Sequence, residues 1–409
     1  MSVLITSEVL GEHPLLTSIS TDLKISTTWV RGGDGLVGFG EYKRFEVKGK
    51  NRFKEANNWW QKQLSAFTIN NNVHGIGTGP ILFTSFAFDP EDLSVLIIPK
   101  IVIGQKSGKS WITWIGEGKQ PKISKIINSP SSGSITWENN SIDEQKWQSQ
   151  ISKAVTAIRN GRLEKVVLAR DLTATSSTDI NINNLLQRLE IDYPSTWVFL
   201  VDDLVGATPE LLVRLSKSMI TSRVLAGTIQ KTGHEDRDLA LAASLAKSSK
   251  DLEEHEYAVK SVADALAPFC SSTNVPESPF VLHLSNVMHL ATDVTGVLTD
   301  SAKKTDIFTL IENLHPSAAV CGTPTEDAKK LIKELEQLNR DRYAGPVGWI
   351  DANGDGEIAI ALRCGILGNN NKTIRIFAGC GIVAGSDPVT EYAESQAKLM
   401  PMRTALETL

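Results

Sequence analysis

The chain has 409 residues, 41% of them hydrophobic and 22% charged, and a net charge of −5. This is the composition of a soluble globular protein with a large core. It excludes a nucleic-acid footprint, because Lys and Arg are neither in excess nor interleaved with aromatics, and length alone points to two or three domains.

Residues 1–50 alternate short apolar runs with glycine turns, which predicts strands and hairpins. Phe53, Ala56, Trp60 and Leu64 set a helical period over 51–67. Strand-like segments follow at 79–90, 93–104 and 110–115, and the polar stretch 116–140 reads as a long loop or lobe boundary. A helix is expected over 142–160, with Trp147, Ile151, Val155 and Ile158 on its apolar face. Strands at 163–172, 196–202 and 219–229 enclose a helix at 183–190. Helices at 237–248 and 251–268, a strand at 287–298 and helices at 302–313 and 326–340 come next, then hairpins at 347–367 and 372–383. Antiparallel hairpins with interspersed helices make the fold α+β.

No segment approaches the ~20 apolar residues that span a bilayer. The N-terminus lacks the basic and apolar regions of a signal peptide. Cys270, Cys321, Cys364 and Cys380 are widely spaced and form no CxxC pair, so buried free thiols in a reducing, cytoplasmic setting are expected.

Chemistry gathers near the C-terminus. An apolar strand runs into Gly379, Gly381 and Gly385, and Ser386-Asp387-Pro388 then opens a helix. Glycines let a backbone approach a ligand and turn N–H groups toward an anion. On the helix, Glu391, Glu394 and Lys398 fall at i, i+3 and i+7, on one face. The pattern reads either as a site for an acidic ligand held partly through a divalent cation, or as a hairpin followed by a solvated, salt-bridged helix. Glu254 extends the apolar stripe of Ala258, Val262, Ala265 and Leu266, where a carboxylate must be paired, protonated or metal-bound. A salt bridge at the helix start is the alternative. Arg363 interrupts a strand of small apolar residues and reads as facing an interior anion.

Lys165 in a strand and Glu210 after a proline carry no signal alone, and His289 between Met288 and Leu290 reads as a core histidine. Asp351, Asn353 and Asp355 have calcium-loop spacing, but Leu362 stands where the bidentate Glu belongs and the flanks are strands. A hairpin turn fits better.

Taken in order, KVVLARDL, GATPELLVR, LAGTI, KDLEEHEYAV, HLATDVTGVL, LHPSAAVCGTP, GPVGWID, ALRCG, FAGCGIV and EYAESQAK resemble the chorismate-utilising enzymes, and among them the isochorismate synthases. The resemblance runs from about residue 150 to the end, with a weaker echo in GPILFTSFAFDP. It implies a large two-lobed α+β domain of two facing antiparallel sheets flanked by helices. Residues 1–409 would then be one chorismate-binding domain, 1–140 a scaffold and 141–409 the catalytic portion, in place of the several domains expected from length.

The implied reaction is Mg²⁺-dependent conversion of chorismate to isochorismate, feeding menaquinone, catecholate siderophore or salicylate synthesis. By similarity Lys165 is the base that deprotonates water and Glu210 the acid that protonates the departing hydroxyl. This asks for a neutral amine and a protonated carboxyl, both of which burial favours. Positions matching the family's metal ligands are Glu254 and Glu394, with Glu391 close by. Arg363, the backbone N–H of Gly379 and Lys398 match the groups holding the enolpyruvyl carboxylate. Gly227 and Thr228 would line the pocket, and His289 would lie near the ring. Amine-forming relatives carry Pro-Lys after the HP motif, where this chain has Pro324-Thr325. Ala319 stands where relatives often have Thr, and with Lys165 it favours water as nucleophile. The alternative is a salicylate synthase, which keeps the lysine and then eliminates pyruvate. A monomer without a glutamine amidotransferase partner, a nucleic acid or a membrane is expected.

Overall fold

Most strands join one hydrogen-bonded network that folds back and closes on itself, and the short strands Ser18–Ser20 and Ile123–Lys125 form a separate two-stranded sheet. This computed structural model describes every residue except 1, 12, 21–22, 126–132, 140–141, 300–304 and 409. The architecture is the expected α+β one, antiparallel sheet with helices packed on it; Val3–Leu10 alongside Phe67–Asn71 is a parallel pair.

The two portions of the chain are interleaved. Ile25–Arg31 pairs with Trp197–Val201, and Ile81–Ser85 pairs with Pro346–Asp351. Trp29 and Phe83 share one core cluster with Trp147, Leu168 and Phe377. A second cluster joins Val30, Phe39 and Ile112 to Leu172, Leu189 and Leu406.

Three elements build the floor of the site. Lys165–Ser176 lies antiparallel to Thr373–Ile382, with Val167 opposite Gly381 and Ala169 opposite Gly379. Side chains alternate along a strand, so Lys165 shares the face of Val167, Ala169 and the two glycines. Met219–Gln230 lies against Val287–Leu298, and the register slips between Ala226 and Thr228. Gly227 occupies that bulge with φ +76°, a conformation glycine adopts without strain.

Two helices cover the floor. Ser249–Leu266 starts at Ser248, whose hydroxyl accepts from the Asp251 amide, and it buries His255, Ala258, Val262 and Leu266. Pro388–Glu407 starts at Asp387, whose carboxylate accepts the Thr390 amide 2.9 Å away. Pro401 inside this helix has no N–H for the Ala397 carbonyl. Asn286 Nδ2 fills that gap at 2.8 Å and ties the helix to the neighbouring loop.

Several boundaries differ from expectation. The stretch 116–140 is not simply a loop: Ile135–Asn139 pairs with Lys165–Ser176, because Ile135 and Trp137 pack against the second core. The strands Cys270–Asn274 and Phe280–His283 were not foreseen; both pair with Val287–Leu298, the first polar after its cysteine and the second only three apolar residues long. The helix placed at 326–340 spans Thr325–Leu335, since Glu336 already has extended backbone. The one placed at 302–313 is Ile307–Leu314, capped by Asp306, with 302–304 outside the described residues. The Asp351 turn is a hairpin tip: its carboxylate accepts the amides of Gly77, Asn353 and Asp355 at 2.8–3.1 Å, so backbone donors occupy both oxygens.

Candidate active site

The helix Ser249–Leu266 lowers Glu254 onto the floor at Gly381. A methyl group on Gly381 would stand 2.0 Å from Glu254 Oε1 and 3.1 Å from Lys165 Cε, so the missing side chain makes room for both. Lys165 is fully buried, and its Nζ lies 3.3 Å from Glu254 Oε1 and 3.4 Å from the Glu254 carbonyl. On the second helix, Glu391 accepts Lys250 Nζ at 2.7 Å, and Glu394 pairs with Lys398 one turn on. Each of the three carboxylates expected to hold a cation therefore has a lysine as its partner.

Glu391 is 1% exposed, and its Oε2 has no hydrogen-bond partner. Burial, then the Glu394 charge, push its carboxyl up to about 7 despite Lys250. One buried oxygen without a donor, among several hard oxygen donors, suits Mg²⁺. The potential ligand atoms of Glu391, Glu394 and Cys380 lie within 4.8 Å of one another, and Glu254 stands outside that group, at Lys165.

Glu210 follows Pro209 between two strands, where Ile360 donates its amide to the Glu210 carbonyl. Its carboxyl is pushed up to about 8: burial dominates, against the opposing charges of Lys165, Arg363 and Lys398. At neutral pH it is therefore protonated, a proton donor ringed by cations.

Arg363 has φ +48°, a left-handed backbone that a non-glycine residue adopts at a cost. Its Nη2 donates to His289 Nε2 at 3.1 Å. A guanidinium has no acceptor, so His289 carries its proton on Nδ1, within 3.1 Å of Thr228 Oγ1 and 3.3 Å of the Gly227 carbonyl. Burial, with Arg363 and Lys398 nearby, holds the imidazole well below its ordinary pKa. His289 is a neutral strut between the Gly227 bulge and Arg363, more than the satisfied core residue read from its apolar flanks.

Lys398 Nζ also donates to the Gly379 carbonyl at 3.0 Å. Burial alone would lower the Lys398 pKa, but Glu394 beside it more than offsets this and raises it. Glu210, Gly227, Thr228, Glu254, His289, Ala319, Arg363, Gly379 and Lys398 all line one cavity. Lys165 lies behind its wall. The cavity has a volume of about 50 Å³ in this conformation, in which Lys165 is held against Glu254. None of those nine residues lines the larger clefts elsewhere.

Four contributors were missed. Tyr343 stacks on Phe377 at 5.0 Å and lines the cavity. Arg340, also at the cavity, donates to the carbonyls of Val167 at 2.7 Å and Val320 at 2.9 Å, tying the lysine strand to the Ala319 segment. Lys250 is visible in sequence only as a neighbour of Glu254. Cys380, read as a buried thiol, is one, yet it lies beside two carboxylates.

The sequence profile of the family described as chorismate binding enzyme matches residues 23–407. The chain is 32% identical over 405 residues to the isochorismate synthase MenF of Bacillus subtilis, covering 91% of this chain and 85% of the relative. It is 32% identical over 349 residues to the isochorismate synthase EntC of Escherichia coli K12, covering 84% and 85%. The solved structure of the menaquinone-specific isochorismate synthase MenF from Escherichia coli superimposes with a TM-score of 0.82 over 99% of this chain and 95% of the other; at 22% identity that likeness speaks to fold. No helix among the described residues is long and apolar enough to cross a membrane.

Proposed function

The chain belongs to the chorismate-binding enzyme family, and we propose a residue-level account of its reaction. It is an isochorismate synthase, an isomerase that adds water at C2 of chorismate while the C4 hydroxyl leaves. The supporting observation is Glu210, a buried carboxyl with a pKa of about 8 in the same cavity as Arg363 and Lys398.

Glu210 gives its proton to the departing C4 hydroxyl, which leaves as water. Lys165, once it has parted from Glu254 and given its own proton to solvent, takes a proton from the attacking water on the opposite face. One proton is taken up and one released, so the two residues return to their starting forms by exchange with solvent. Such acid–base assistance contributes roughly 10²–10⁴-fold each. Arg363 and Lys398 hold the enolpyruvyl carboxylate, with Gly379 behind it, and His289 fixes the guanidinium. Gly227, Thr228 and Ala319 shape the ring pocket. Glu254, Glu391 and Glu394 would hold Mg²⁺, which when bound supplies positive charge to the ring carboxylate. We further read residues 1–409 as one domain, because the two portions share strands and core; the family resemblance and the widely spaced free cysteines favour a cytoplasmic monomer without an amidotransferase subunit.

The test is incubation with chorismate, with and without Mg²⁺ and without ammonia or glutamine. Isochorismate at equilibrium with chorismate and no pyruvate is expected; salicylate plus pyruvate would identify a salicylate synthase.

A further inference from the structure

Cys380 lies between the two glycines of the site floor, on the opposite face of its strand, under the first turns of Pro388–Glu407. It is fully buried, and its thiol donates to the Glu391 carbonyl at 3.3 Å. Sγ and the carboxylate oxygens of Glu391 and Glu394 fall within 4.8 Å of one another. Beside them, Glu391 Oε2 is buried without a partner. A soft sulfur and two hard carboxylates thus converge around an oxygen with nothing to bind.

We propose that Cys380, Glu391 and Glu394 form a mixed thiolate–carboxylate site that takes a thiophilic divalent cation such as Zn²⁺ or Co²⁺, in competition with Mg²⁺. This rests on the reading of Glu391 and Glu394 as cation ligands and adds the thiol to it. Zinc accepts one sulfur at ~2.3 Å and oxygens at ~2.0–2.2 Å in a tetrahedron. Those lengths require ligand separations of about 3.5 Å, so from within 4.8 Å of one another the ligand atoms must close by about 1.3 Å or less. Mg²⁺ demands octahedral oxygen ligands and gains nothing from sulfur. On coordination Lys250 parts from Glu391 and the thiol gives its proton to solvent, so binding releases a proton. Zn²⁺ is then an inhibitor that occupies the carboxylates without the waters and geometry Mg²⁺ provides.

Co²⁺ added to the full-length protein reports the thiolate directly, through a sulfur-to-metal charge-transfer absorption. That band is expected in the wild type and absent in Cys380→Ser, whose Zn²⁺ affinity, read by competition with a chromogenic chelator, drops by about 10-fold or more. Calorimetric Mg²⁺ affinity should move far less in the same variant. Co²⁺ binding without the band in the wild type overturns the thiol's role and leaves the carboxylate reading intact. A band that survives Cys380→Ser assigns the sulfur to another cysteine and likewise overturns it. Mg²⁺ and Co²⁺ affinities both unaffected by Glu394→Gln overturn the underlying carboxylate site.

Discussion

Lys165 Nζ and Glu254 Oε1 are 3.3 Å apart, the lysine fully buried and the glutamate side chain 12% exposed. The group assigned as base and a carboxylate assigned to the cation neutralise each other in this conformation. A buried ion pair of this kind costs desolvation on both sides, and removing one member strands the other. Glu254→Ala should therefore destabilise the fold by about 3 kcal/mol, the low end of the range for breaking buried pairs, since Glu254 keeps some exposure. Urea unfolding measures this. The double variant Lys165→Met/Glu254→Leu should recover most of the loss, and a double variant no better than the single one would contradict the pairing.

Gly381 faces that pair. Its backbone does not require glycine, yet Gly381→Ala would put a methyl 2.0 Å from the Glu254 carboxylate. The expected result is a folded protein, by circular dichroism, with turnover down by about 10²-fold, the scale of a misplaced catalytic group. Near-normal turnover would show that Glu254 moves aside freely.

Glu210 predicts the pH profile. With its pKa raised to about 8 in the free protein, the acid is loaded below that pH and lost above it, so kcat/KM should fall tenfold per pH unit on the alkaline side. The same raised value means the folded chain holds a proton that the unfolded chain has released above its ordinary carboxyl pKa. Stability from this group therefore declines as pH rises from the ordinary range through about 8. Glu210→Gln should abolish turnover and flatten that decline in thermal unfolding. A variant retaining the alkaline limb of the rate would assign it to another group.

Glu394 pairs with Lys398, and its loss should act on both cation and substrate. Glu394→Gln is expected to raise the Mg²⁺ needed for half-maximal rate by about 10-fold or more. An unchanged Mg²⁺ titration would remove Glu394 from the ligand set.

How much of this could be read in the sequence depended on whether the signal was local. The helix face of Glu391, Glu394 and Lys398 follows from 3.6-residue spacing, and the strand carrying Lys165 from its apolar run. Lysine–carboxylate pairing was invisible, because Lys165 and Glu254 are 89 residues apart and meet only through the Gly381 gap. His289 looked like core because its flanks are apolar, and only the fold reveals Arg363 at its Nε2. Ile135–Asn139 hid in a polar stretch since two residues, Ile135 and Trp137, do its packing. Cys380 was legible as a buried thiol, but its neighbours come from a helix that begins beyond the next turn.

Water enters at C2 and the original hydroxyl leaves, with Lys165 and Glu210 moving the protons. Running the reaction in water enriched in heavy oxygen and weighing the isochorismate tests it most directly. One heavy oxygen, located at C2, is expected in the product of the wild type, with a loss of product formation in Lys165→Ala and Glu210→Gln. Isochorismate carrying only its original oxygens would mean the hydroxyl migrates within the substrate, and the acid–base assignment would fall.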